Sequence, residues 1–218
     1  MAGRERREGR SPRRRRQGGG RTTDASSSGI DDLAFHPVDA SRWPDFVRLF
    51  ESPGAPRYCW CMAWRGTLAE KKDAGSRKAA MEHRVRDGVP IGILGYAGGE
   101  PVAWCSIAPR ETYRGLGGVE EPGDAPGNVW SVVCFFIKRT HRKQGMTRRL
   151  LDAAAAYARE QGATSLEAYP VDPDSPSYRF MGFVPFFEAA GFREVGRAGT
   201  RRHVMRLDLR RDQGRDEG

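Results

Sequence analysis

The chain has 218 residues, 38% of them hydrophobic, and a formal charge of +9, which suits one domain with a sizeable core. Charge alone would suggest a nucleic-acid binder, but residues 1–28 hold nine Arg against Glu5, Glu8 and Asp24, a net +6 that leaves 9 − 6 = +3 for the rest. The longest apolar run, VVCFFI at 132–137, is too short to cross a bilayer, and four cysteines in a chain this long do not make a disulfide framework.

The first 28 residues have almost no large apolar side chains. Such a segment cannot offset its own ordering entropy, so it is expected to be a disordered arginine-rich tail. Its arginines run into QGGGRTTDASSSG rather than an apolar stretch, which argues against a secretory or twin-arginine signal and for a cytoplasmic protein without membrane contact. A domain is expected over 29–210 and a short charged tail over 211–218. The arginine tail also admits a salt-sensitive nucleic-acid contact, although a solvated tail is the reading adopted.

After the tail, LAFHPVDASRWPDFVRLFES predicts a strand, a turn capped by Asp39 or Ser41, and a helix with Trp43, Phe46, Leu49 and Phe50 on one face. PGAPRYCWCMAWRGT predicts a loop or broken helix with an apolar surface, and SRKAAMEHRVRDG a helix capped by Ser76 and closed by Gly88. Two strands follow, joined at Gly98-Gly99. The stretch from 111 to 128 is rich in Gly and Pro and predicts a long mobile loop. VWSVVCFFIK, apolar on both faces, reads as a central strand. The next helix carries Met146, Leu150, Leu151, Ala154, Tyr157 and Ala158 along one stripe and stops at Gly162. A strand TSLEAYPV, a short helix ending at Gly191 and a final hairpin complete the order. In that hairpin Met205, Leu207 and Leu209 alternate with Val204, Arg206 and Asp208.

Cys59 and Cys61 have one residue between them and no second Cys/His pair at ligand spacing, so no metal site is expected. Cys105 and Cys134 read as small core residues, and a covalent acyl-cysteine at Cys134 is the less favoured alternative. His83 and His141 read as structural or solvent-facing, with a phosphate contact by His141 as the less favoured alternative.

Between the central strand and the long helix, Arg142, Lys143 and Gly145 form a basic loop. A helix start exposes amide N–H groups without intrahelical partners, and with the helix dipole they favour an anion. Gly145 lets the backbone approach a bulky phosphate. The stretch FFIKRTHRKQGMTRRLLDAAAAYAREQGATSLEAYP resembles the signature region of the GNAT superfamily of acyl-CoA-dependent N-acetyltransferases, whose strand-loop-helix carries R/Q-x-x-G-x-G/A. Here the motif is Arg142-Lys143-Gln144-Gly145-Met146-Thr147, with Thr147 in the place of the final small residue. FMGFVPFFEAAGFREVGR is similar to the family's second helix, which ends in Tyr-x-x-x-Gly-Phe.

The resemblance implies an α/β fold of the α+β kind, a mixed and mostly antiparallel sheet of about seven strands flanked by about four helices. It implies acetyl-CoA as acyl donor, its pantetheine arm lying between two splayed central strands beside the backbone of Phe136 and Ile137. The amides of Gln144, Gly145, Met146 and Thr147 would hold the pyrophosphate, and an N–H near Ile137 would polarise the thioester carbonyl. The family's glutamate base falls at Ser131, which cannot act as a base at neutral pH but can orient a water, and its tyrosine acid at Phe187, which has no proton to give. Glu167 and Tyr169, which share a strand face, and Tyr178 are the replacement candidates. Tyr58, Trp60, Met62 and Trp64 are expected to wall the acceptor site, suiting an apolar amine or a cation held over a ring. The reading is an N-acetyltransferase acting on a primary amine of a small molecule or peptide, as a monomer or homodimer. The missing acid and base motivate an alternative, a non-catalytic acyl-CoA sensor.

Overall fold

The computed structural model describes residues 32–210; the tails expected over 1–28 and 211–218 lie outside the described residues. Seven strands form one sheet: β1 (Leu33–Pro37), β2 (Ile93–Ala97), β3 (Glu100–Pro109), β4 (Val129–Ile137), β5 (Ser165–Ala168), β6 (Arg193–Ala198) and β7 (Arg202–Asp208). Their spatial order is β1-β2-β3-β4-β5-β7-β6. Four helices, α1 (Trp43–Phe50), α2 (Ala74–Arg86), α3 (Met146–Glu160) and α4 (Val184–Ala189), cover it. Every neighbouring pair is antiparallel except β4 and β5. That pair is parallel because α3 is the crossover between them, and a parallel return needs a dozen or more residues.

The two sheet faces have different coverings. On one, Leu150, Leu151, Ala154 and Ala158 of α3 and Phe187 of α4 pack on Ile107, Trp130, Val132 and Leu166. On the other, Phe46, Leu49 and Phe50 of α1 and Met81 and Val85 of α2 pack on Leu94 and Trp104. The stretch 55–66 between α1 and α2 folds as a series of turns. Ser76 does not cap α2: the helix starts earlier, at Ala74, because the Asp73 carboxylate accepts from the Ser76 amide at 2.7 Å. A carboxylate at a helix start also complements the dipole there.

Two features of β4 build the site. Its register against β3 jumps from Ser106↔Cys134 to Ile107↔Val132, leaving Val133 as an extra residue. This bulge re-aims the strand and increases its twist. Its parallel pairing with β5 stops at Val132↔Ala168, five residues before β4 itself ends at Ile137. β5 cannot follow further, since Pro170 has no N–H to donate and Val171 bridges instead to Phe183 and Arg202. β4 and β5 therefore part.

The Gly- and Pro-rich stretch after β3 is tethered, contrary to the mobile loop expected. Arg206 of β7 is buried and pairs with Asp124 at 2.7 Å, Glu121 at 3.1 Å and, across the sheet, Glu167 at 2.9 Å. Arg110 adds ion pairs to Asp124 at 3.3 Å and Glu120 at 2.7 Å. Gly118 lies against Glu167, Arg110 and Tyr169 so closely that a Cβ there would overlap the Glu167 carboxylate. Glycine is therefore required at that crossing for space. Charges on the loop thus find partners on β7 that lie far away in sequence.

Removing one anchor tests this tether. Asp124→Ala is expected to destabilise the protein by roughly 1–3 kcal/mol, because Arg206 keeps Glu167 but loses a buried charged partner; urea unfolding measures it. The bonds from Arg206 hold the Asp124 carboxyl below its ordinary pKa. That depressed value makes the contribution complete above about pH 4 and lost as pH falls through the folded value. The gap between wild type and variant should therefore close on acidification.

Candidate active site

Where β4 leaves β5, a cleft of about 630 Å³ opens. Its inner part is apolar, walled by Phe135, Phe136 and Ile137 of β4 and by Phe183 and Phe186 at α4. Its outer part is basic, with Arg142, Lys143 and Arg179. An elongated ligand with an uncharged arm and an anionic end matches that division.

The anionic end has a built seat at the start of α3. Gly145 is the N-cap residue at φ 73°, and no side chain caps the helix. Among the described residues, the backbone N–H groups of Gln144, Gly145, Met146 and Thr147 have no hydrogen-bond acceptor. The contrast with α2, whose start Asp73 closes, is direct. A carboxylate cap here would occupy the place of an anion; its absence leaves several orphan donors and the positive end of a 15-residue helix pointing at the cleft. Lys143 also adopts a left-handed backbone, φ 61°, and nothing lies within 4 Å of the place where a Gly145 Cβ would stand. The residues present therefore fit a pyrophosphate.

Of the residues expected at the donor, Phe136, Ile137, Arg142, Lys143, Gly145, Met146 and Thr147 all line this cleft. The side chain of Gln144 turns away, donating to the Thr140 carbonyl at 3.2 Å, so only its amide could serve. Arg142 folds back and its Nε donates to the Ile137 carbonyl at 2.9 Å, which ties the loop to the free end of β4. Arg179, Phe180, Phe183 and Phe186 were not singled out in the sequence. They come from a segment whose role depends on the long return from β5, which no local pattern records.

A second cavity of about 380 Å³ adjoins the first and shares Phe135, Phe136, Arg142 and Phe180 with it. Tyr58 and Trp64 line it as expected of an acceptor wall. Trp60 and Met62 do not: both are buried in the core against Phe50 and Trp104, and Cys59, Cys61 and Ala63 take their place on the wall. Trp60 and Cys61 both have positive φ, 48° and 50°, so the regular alternation expected of the CWCMAW stretch is broken there. Cys134 is on the cavity wall, because the bulge at Val133 puts it on that face. All four cysteines are free thiols. The neighbouring Cys134 thiol and burial push the Cys61 pKa well up, which argues against a thiolate nucleophile there.

Ser131, Glu167 and Tyr169, the residues expected to take part in proton transfer, are brought together, but away from both cavities. Ser131, Glu167 and Arg206 stand in one rank across β4, β5 and β7. The Tyr169 hydroxyl donates to Glu167 and lies 3.3 Å from Ser131 Oγ. Glu167 is wholly buried, and its other oxygen accepts from Arg206 and Arg110. Burial, then the adjacent carboxylate, raises the Tyr169 pKa. None of the three lines either cavity, so the relay expected of Glu167 and Tyr169 gives way to a structural part: they hold the Gly-rich loop. Tyr178 packs outside against Trp64, ring centroids 6.1 Å apart, and Phe187 is core. Among the described residues no carboxylate or imidazole lines either cavity.

A splayed parallel pair, an uncapped helix start at its mouth and an apolar channel between define a protein that holds a long ligand by its phosphates. A family model described as the acetyltransferase (GNAT) family matches residues 40–192. The chain belongs to that family, and is an acetyltransferase with acetyl-CoA as donor. Among solved structures it is similar to an acetyltransferase from Thermus thermophilus, with 21% identity, 83% of this chain and 99% of that one covered, and a TM-score of 0.49. It is also similar to the PaiA N-acetyltransferase from Thermoplasma acidophilum in complex with coenzyme A, with 11% identity, 81% and 99% covered, and a TM-score of 0.49. A ribosomal-protein-alanine N-acetyltransferase from Brucella melitensis gives 18% identity, 80% and 99% covered, and 0.49. No curated protein matches the chain.

Gly145→Glu is expected to abolish coenzyme A binding, measured by calorimetry, while the circular dichroism spectrum persists. The new carboxylate would enter the anion seat, and the positive φ adds only about 1–2 kcal/mol of backbone strain.

Proposed function

We propose that the chain transfers the acetyl group of acetyl-CoA to a primary amine of a small molecule or peptide, with the donor in the larger cleft and the acceptor in the adjoining cavity. The single observation that carries this reading is the orphan amides of residues 144–147 at the mouth of the splayed strands. Continuity of the two cavities through Phe135 and Phe136 supports it.

In the transfer the amine nitrogen forms a bond to the acetyl carbon, the carbon–sulfur bond breaks, and coenzyme A leaves with the proton that nitrogen loses. The chain's own contribution is to bind and align. The basic rim and helix start fix the phosphates, the phenylalanines exclude water, and unpaired β4 backbone beyond Val132 faces the channel. Holding two reactants in attack geometry can lower the barrier by roughly 7–11 kcal/mol in favourable cases. With no carboxylate or imidazole on the lining, the ammonium sheds its proton through solvent and through the loss of hydration on entry, which disfavours the charged form. The same absence also favours a second reading, acyl-CoA binding without turnover.

Two measurements separate these. Thiol release from acetyl-CoA across amines of several types should exceed the no-acceptor rate; tight coenzyme A binding without any release supports the sensor. For an accepted amine, kcat/KM should climb with pH towards the amine's own pKa, about 10 for an alkylammonium, with no inflection from an enzyme group. Glu167→Gln should lower stability and leave the shape of that profile unchanged. An inflection that vanishes in this variant would restore Glu167 as a relay.

A further inference from the structure

The acceptor cavity is rich in hydrogen-bond donors and poor in acceptors. Among the described residues no Asp or Glu lines it, and Arg142 is its one charged lining residue. Two more arginines stand immediately behind the wall. Arg202 lies over the Trp64 ring with its guanidinium carbon 4.3 Å from the centroid, and among the described residues it donates only to the Leu116 carbonyl. Arg65 is 1% exposed. Its guanidinium donates to Tyr113 at 2.6 Å and the Ile91 carbonyl at 2.9 Å. Among the described residues neither arginine has a carboxylate partner, and Arg65 Nε and the Trp64 indole N–H are buried without any acceptor. Burial pulls the pKa of both arginines down, the mark of cations left without a counter-ion.

Proton bookkeeping favours one direction for the Ser106–Tyr113 bond, in which either oxygen can donate. The buried Tyr113 oxygen has two partners, Arg65, which can only donate, and Ser106 at 3.1 Å. A buried phenol proton needs an acceptor, so Tyr113 donates to Ser106. Arg65 Nη2 also lies 3.3 Å from Ser106 Oγ, but its two hydrogens go to the nearer Tyr113 and Ile91 oxygens. Ser106 then keeps its own O–H, and a lone pair that faces the Arg65 guanidinium. Ser106 lines the cavity, so that proton is free to meet an oxygen placed there.

We infer that this cavity takes a small apolar amine that also bears a carboxylate, such as an apolar α-amino acid, whose carboxylate is read by the Ser106 hydroxyl backed by Arg65 and Tyr113. The ligand brings the acceptors that the wall lacks and the negative charge its arginines lack. Trp64, Val133 and the thiols of Cys61 and Cys134 surround the apolar side chain. A cavity of about 380 Å³ holds one small molecule, and a polyamine finds no anion in it. The inference rests on the acetyl-transfer reading above and narrows its acceptor.

The test compares kcat/KM for methionine, leucine and phenylalanine with that for their C-terminal amides and for isoamylamine and phenethylamine, at saturating acetyl-CoA. The free acids should lead by about tenfold or more, the worth of one charge-assisted hydrogen bond. Ser106→Ala should shrink that lead through KM rather than kcat, which a purely structural serine would not do. Arg65 anchors too much of the fold for a clean variant, so a binding measurement that needs no turnover stands beside the kinetics. Coenzyme A-loaded protein is titrated with N-acetylmethionine and with N-acetylphenethylamine, and the acid should bind more tightly. Amines or amides that match the acids, or a Ser106→Ala ratio equal to wild type, overturn the inference. Failure of both acetylated probes to bind also overturns it while leaving donor binding standing. If the amides lead, the acceptor is a peptide N-terminus; if coenzyme A itself does not bind, the acetyl-transfer reading falls first.

Discussion

The parting of β4 from β5 after Val132 is the constraint on which the rest depends. Backbone groups inside a sheet are normally all paired, so five residues of a central strand without a partner on one side are an invitation to an extended ligand. Three local features keep the strands apart. A bulge at Val133 twists β4, Pro170 ends the run of donors on the β5 side, and Phe183 and Phe186 fill the wedge. The uncapped start of α3 is placed at that opening by the shortness of the loop from β4.

Below the opening, on the face away from α3, the sheet is clamped by charge. Ser131, Glu167 and Arg206 cross three strands in register, and Tyr169, Arg110, Asp124 and Glu121 complete the set. Every oxygen of Glu167 is engaged, which makes a buried carboxylate tolerable and removes it from acid–base work. The clamp pulls the Gly-rich loop onto the sheet. The opposite electrostatic choice is made around the smaller cavity, where Arg65 and Arg202 are buried beside aromatic rings and neutral oxygens. One side of the active region is thus neutralised within the protein, and the other is left to be neutralised from outside.

Much of this was legible in the sequence. Period-two and period-3.6 patterns gave seven strands and four helices in the right order, and the basic loop with Gly145 does stand at an uncapped helix start. Those signals are local: a helix stripe, a turn at Gly98-Gly99 and a glycine at a helix start each sit within a few residues. Even so, the cap of α2 was misplaced by three residues, since Asp73 and Ser76 are equally good candidates until the amide that finds the carboxylate is seen.

What the sequence could not settle was the company each polar residue keeps. Glu167 and Tyr169 looked like a proton relay because they share a strand face, yet Arg206 and Arg110, 39 and 57 residues away, claim the carboxylate. Trp60 and Met62 looked like acceptor-site residues because they alternate with Tyr58 and Trp64, but two consecutive left-handed residues break the period and send them into the core. Arg65 and Ser106 carried no signal at all, being 41 residues apart and ordinary in their own neighbourhoods. Local backbone preference and hydrophobic period fix elements, and so those were determined by the sequence alone. Burial and ion pairing depend on contacts between distant segments, and only the tertiary structure decided them.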